Sequence, residues 1–325
     1  MSPVQKKKAP VETPKRGGPT SPRRSSGSGQ TTGDSSGAPE FTTPQQLADP
    51  LLVRDEKTKK RETHEYKRME GKLFKWGVRE TDVMQGWMSN CYFGAALGAV
   101  AQRHPDKIRE GIKEKGGDVF SVRLYSFDKW GTPTAHWVDV DADFPWYKDK
   151  NTWAYMQSMQ KGELWPSLAE KAYAVFKSRT RSNPAGDYEK IGQGGYESDV
   201  LEAFTGLWAE EHGTKDESED RLWERLKRAS DKGKAMTAGT YSPKLDASGS
   251  HNDPRYGDKT KIWENHAYTV LGVQEVGRGR GKKRMVKLRN PWGESEPGQD
   301  GKNDGVFMIP LKQFIDCYES MTILD

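Results

Sequence analysis

The sequence predicts an α+β fold in two parts, a largely helical one followed by a largely β one, and three patterns predict it. Apolar residues Phe93, Ala96, Leu97 and Val100 recur behind Cys91 at the spacing of one helix face, and LWPSLAEKAYAVF (164–176) returns to that period. VFSVRLYSF (119–127) and HWVDVDADF (136–144) alternate at period two, as half-buried strands do. Past IGQGGY (191–196) the texture changes, and strand-like AMTAGTY (235–241), HAYTVLGVQEV (266–276), RMVKLRN (284–290) and GVFMIP (305–310) dominate.

Each element has a local reason. Residues 1–45 are expected to form a disordered basic Ser/Pro/Gly tail, because residues 1–40 hold no aromatic side chain and too few apolar groups to offset the entropy of ordering. The first folded part spans 46–205 and the second 206–325, with the boundary placed near Thr205. Residues 50–70 read as a surface helix or an approach strand. Ser89 and Asn90 are N-cap types ahead of the helix at Cys91. Gly131 and Pro133 separate the period-two segments, which suggests that they pair, and Pro166 suits a first helical turn. Further helices are expected around Val200, Leu201 and Phe204 and around Leu222, Trp223 and Leu226.

Charge and composition exclude several functions. The first forty residues carry seven Lys/Arg against three Asp/Glu, so +4 of the net +5 lies in the tail. The folded part lacks the excess that a phosphate-binding groove needs, and no nucleic acid is expected there. The tail itself could meet an acidic partner. Two cysteines, Cys91 and Cys317, imply no disulfide framework, and no apolar run reaches spanning length. A soluble cytoplasmic monomer is expected. His104, His136 and His251 have no partners at transition-metal spacing, and GRGRGKK (277–283) joins two strands rather than opening a helix, so it reads as a hairpin loop.

The chemistry-bearing residues come from segments far apart. Cys91 stands at a helix N-terminus, where backbone N–H groups favour a thiolate. Gln85, six residues earlier, can offer its amide to the same spot, and with the Cys91 N–H it makes an oxyanion hole. His266 begins one β segment and Asn290 ends the next. If the two pair as a hairpin, Asn290 fixes the imidazole tautomer and leaves the other nitrogen for the thiol.

These residues lie in TDVMQGWMSNC, ENHAYTVLGV and LRNPWGE, and with WVDVDADF, LWPSLAEKAYA and GVFMIPLKQFIDCYESMTI they resemble the calpains over residues 70–325. The resemblance implies a papain-like cysteine protease fold and calcium-regulated limited proteolysis of protein substrates. It assigns Cys91 as nucleophile, His266 as general base and acid, Asn290 as orienter and Gln85 to the oxyanion hole, with Trp292 as a wedge in the cleft. It also implies a calcium site in the first part, made by Asp82, Glu170 and the carbonyls of Lys75 and Gly77. For a second calcium the stretch after Glu296 is short, with Asp300 and Asp304 available and Val306 where a carboxylate is expected. Ser89, Asn90 and Tyr92 depart from the family's usual Gly-Asp before the cysteine and Trp after it. Two other readings stay open: a catalytically silent core that binds proteins or senses calcium, and a transglutaminase-type acyl transferase.

Overall fold

The computed structural model describes residues 47–54, 60, 64–242, 253–298 and 301–325. The expected tail and Asp300 lie outside the described residues. Six α-helices are present among them: α1 (Cys91–Arg103), α2 (Pro105–Gly111), α3 (Trp165–Ser178), α4 (Glu197–Thr205), α5 (Glu219–Asp231) and α6 (Leu311–Cys317). The fold is mixed α and β throughout.

Apolar side chains gather into two cores. The first takes its residues mainly from 52–209 and centres on α1 and α3, with Phe93, Leu97, Trp165, Leu168 and Tyr173 fully buried. The second takes its residues from 222–323. Around the first core, Val119–Phe127 pairs antiparallel with Pro133–Asp141, as their alternation predicts, and Ile112–Gly116 adds a third strand. Glu65–Arg68 is a strand against Asp143–Tyr147, which resolves the 50–70 region toward the approach strand.

The second core lies under a six-stranded antiparallel sheet ordered 306–310, 283–289, 267–276, 236–240, 318–324 and 209–213. Its two faces hold the two cores apart. Along Ala267–Val276, Tyr268 and Val270 enter the second core, while Ala267 enters the first. Thr269 also turns toward α1, where its hydroxyl donates to the Ala95 carbonyl at 2.7 Å. A register shift between Val270 and Gly272 frees the Leu271 carbonyl from the ladder, and it accepts from Gln102 at 3.0 Å and Arg103 at 2.7 Å. α1 thus lies directly on the strand that His266 introduces. Two glycines permit this approach. A Cβ on Gly98 would stand 2.8 Å from Thr269 Oγ1, and one on Gly94 would stand 3.0 Å from Pro291 Cβ.

Candidate active site

Cys91 is the first residue of α1, and its side chain is only partly open to solvent. The backbone N–H groups of Ala267, one residue past His266, and of Tyr92 draw on its thiol. The two segments that the sequence could only suggest to be neighbours do meet. Lys283–Arg289 pairs antiparallel with Ala267–Val276, with Thr269 opposite Arg289, so His266 and Asn290 come to the same end of the hairpin.

There His266 Nε2 and Asn290 Oδ1 are 2.9 Å apart, and both residues are buried. The amide orientation follows from its other bonds. Asn290 Nδ2 donates to the Ser295 carbonyl at 3.1 Å, and Oδ1 also accepts the Trp292 N–H at 3.2 Å. Oδ1 therefore faces the imidazole as an acceptor, Nε2 carries the proton, and Nδ1 keeps its lone pair. Trp292 covers the ring at a centroid distance of 4.5 Å and contacts Trp263 at 5.2 Å, while Tyr268 meets the ring edge-on at 4.9 Å. Water is largely excluded from the imidazole.

Burial sets the titration of both groups. It pushes the Cys91 thiol up to about 11, against the pull of the Ala267 and Tyr92 N–H groups and with a further push from the Glu197 carboxylate. It pushes His266 down to about 4, which the Asn290 bond only partly opposes. At neutral pH the pair rests as thiol and neutral imidazole, one proton transfer from thiolate and imidazolium.

Gln85 packs against the first turn of α1, its backbone N–H donating to the Pro291 carbonyl at 2.8 Å. One amide hydrogen is held by the Met88 carbonyl at 2.7 Å, and Oε1 is buried without a hydrogen-bond partner. The second amide hydrogen has no hydrogen-bond partner among the described residues.

The residues implied for calcium divide. Asp82 is buried in the turn after Gly77, with its carboxylate accepting the Arg79 N–H at 2.8 Å. Burial, together with the charge of Glu163, raises it to about 6. Glu163 in turn accepts the Lys75 N–H at 2.8 Å. Glu170 is engaged elsewhere: it is buried in α3, one oxygen accepts from Asn90 Nδ2 at 2.7 Å, and the other accepts the Met156 N–H at 3.0 Å. The carboxylate facing the 75–82 loop with Asp82 is thus Glu163. Among the described residues no three His, Cys, Asp or Glu side chains group as a metal site, so a cation there would need backbone carbonyls as well. In the second part Glu296 is buried, and Asp304 accepts the Val306 N–H at 3.1 Å.

Sequence reasoning missed Arg289. This fully buried guanidinium donates to the Val83 carbonyl at 2.8 Å, tying the strand before Asn290 to the segment after Asp82. Its only local signal is a charged residue between Leu288 and Asn290 at the end of a strand.

A family profile described as "Calpain family cysteine protease" matches residues 45–300, so the chain belongs to the calpain family of cysteine proteases. It is similar to mouse Calpain-5, 31% identical over 255 residues, covering 69% of this chain and 36% of that protein. It is also similar to mouse Calpain-9, 29% identical over 222 residues, covering 68% and 29%. The chain spans about a third of the length of these relatives. Among solved structures, the SERA5 proenzyme from Plasmodium falciparum superposes with a TM-score of 0.27 at 13% identity, covering 79% of this chain and 70% of that one, a likeness too slight to bear on the fold. No helix among the described residues is long and apolar enough to cross a membrane.

Proposed function

We propose that this chain is a catalytically competent calpain-type cysteine endopeptidase core, its two apolar cores being the halves of a papain-like cleft that meet at α1. The observation that carries the reading is the 2.9 Å bond between His266 and Asn290, made at the start of the strand on which the Cys91 helix lies. A silent core would have no need of an imidazole held in the one tautomer that leaves Nδ1 as a base.

In the reaction the Cys91 proton passes to His266 Nδ1, and the thiolate sulfur bonds to the peptide carbonyl carbon. The resulting oxyanion is met by the Cys91 N–H and the free amide hydrogen of Gln85. His266 returns the proton to the leaving amine as the C–N bond breaks, and a water activated by the same imidazole then releases the acyl group.

The donor set around 75–82 fits a hard divalent cation: two carboxylates, Asp82 and Glu163, whose mutual repulsion a cation relieves, next to the carbonyls of Lys75 and Gly77. Bound calcium would supply positive charge there. Arg289, anchored on Val83, would pass the position of that loop to Asn290. Protein substrates and a cytoplasmic setting belong to the same reading.

Cleavage of an unfolded protein substrate, followed in calcium and in chelator, tests it. Cleavage that vanishes in Cys91→Ala supports the reading, and equal cleavage in that variant, or none in the parent protein under either condition, overturns it.

A further inference from the structure

Asn90 stands at the N-cap of α1, where an Asn side chain ordinarily accepts a first-turn N–H, yet it makes no cap bond. Its Nδ2 instead donates to Glu170 Oε1 on α3 at 2.7 Å, while its Oδ1 is buried with no hydrogen-bond partner among the described residues. Both side chains are buried. Glu170 is itself pinned, because Oε2 accepts the Met156 N–H at 3.0 Å and the Met156 carbonyl accepts the Ser167 hydroxyl at 2.8 Å. The carboxylate is thus a fixed point on α3, and Asn90 is tied to it. What Asn90 holds in turn is the backbone around the nucleophile. Its carbonyl shares a planar peptide unit with the Cys91 N–H, and that carbonyl accepts the Phe93 N–H at 2.9 Å and the Gly94 N–H at 3.1 Å. Its own N–H donates to the Met88 carbonyl at 2.9 Å, the same acceptor that holds the Gln85 amide at 2.7 Å.

We propose that Glu170 and Asn90 are positioning residues of the oxyanion hole, the Glu170 carboxylate clamping Asn90 so that both donors, the Cys91 N–H and the Gln85 amide, are held in register with α3. The inference rests on the peptidase reading above. It carries a kinetic consequence, because the two donors act on a negative oxygen that exists only once the sulfur has bonded to the carbonyl carbon. A donor displaced by a fraction of an ångström weakens that state and leaves the reactivity of the thiol itself unchanged.

Two probes of the same thiol test this in the parent, Asn90→Ala, Glu170→Ala and the double variant. A peptide aldehyde adds the Cys91 sulfur to its carbonyl carbon and places an oxyanion in the hole, whereas chloroacetamide alkylates the sulfur by displacing chloride and forms no oxyanion. In each single variant aldehyde affinity falls at least about tenfold and kcat falls with it, while the alkylation rate, read by intact mass, stays within about threefold of the parent. The double variant loses no more than the worse single one, as expected of residues that act as a unit. Glu170→Gln keeps aldehyde affinity within about threefold, because the unpartnered Asn90 Oδ1 turns to accept the new amide hydrogen. Asn90→Ala removes no cap bond, so it carries the test if Glu170→Ala does not fold. A smaller loss of aldehyde affinity in Asn90→Ala, or one that the alkylation rate matches, overturns the inference alone. A parent protein that neither binds the aldehyde nor cleaves a protein substrate removes the peptidase reading, and this inference with it.

Discussion

Replacing Asn290 by Ala tests how the base is held. The substitution removes three bonds, those to His266 Nε2 at 2.9 Å, to the Trp292 N–H at 3.2 Å and to the Ser295 carbonyl at 3.1 Å. Because His266 is buried under Trp292, its Nε2–H finds no water, and an unmet buried donor costs about 1–3 kcal/mol. The imidazole escapes that cost by rotating or by moving its proton to Nδ1, and either change takes away the lone pair that accepts the thiol proton. If the whole cost falls on the reactive arrangement, kcat/KM drops by about 5- to 150-fold. Peptidase kinetics measure the drop, and 15N NMR of the His266 ring reports the tautomer in parent and variant. A folded Asn290→Ala protein whose kcat/KM stays within about twofold of the parent would refute the argument.

Other consequences follow from neighbouring contacts. Trp292→Ala hydrates His266, so its titration midpoint should rise from about 4 toward the ordinary 6.5, read by proton NMR of the ring. In the parent the folded state binds fewer protons than the unfolded one between those values, so about 3 kcal/mol of stability is lost as pH falls from 6.5 through 4, and the variant should lose less. Lys171 is buried on α3 and holds Asp141 at 2.6 Å and Asp49 at 2.5 Å, so Lys171→Ala should lower stability to denaturant by about 3–5 kcal/mol, and a change under 1 kcal/mol would contradict that role. Glu163→Gln should weaken calcium binding measured by calorimetry by at least about tenfold, whereas Glu170→Gln should act on stability and leave the calcium isotherm within about threefold.

Much of the site was legible because its signals are local. A cysteine at the head of an apolar helical period, and a histidine and an asparagine at matching ends of two β segments, need only the hairpin to bring two of them together. Features that depend on which way a side chain turns were not legible. Glu163 and Glu170 lie seven residues apart in ELWPSLAEK. Only the start of α3 at Trp165 leaves Glu163 in the turn facing Lys75, and because residues 165–175 are all buried, Glu170 must find its donors inside. Asn90 is an N-cap type and stands at the N-cap position of α1, yet its amide spans to Glu170 and makes no cap bond. Buried carboxylate pairing outweighs local capping there. The edge strand 209–213, AEEHG, carries no period-two signal, since one side of an edge strand faces water. Arg289 acts through a partner 206 residues away in sequence, where no local pattern points.

The central claim is that Cys91, rather than Cys317, is a nucleophile driven by His266. The most direct measurement is reaction with a peptidyl epoxide in parent and His266→Ala proteins, read by intact mass and peptide mapping. Cys317 is buried in the second core, whereas Cys91 is partly open to solvent, so Cys317 should stay unmodified. The account predicts a single adduct on Cys91, formed at least about a hundredfold more slowly in His266→Ala. No adduct, an adduct on Cys317, or a rate on Cys91 indifferent to His266 would contradict it.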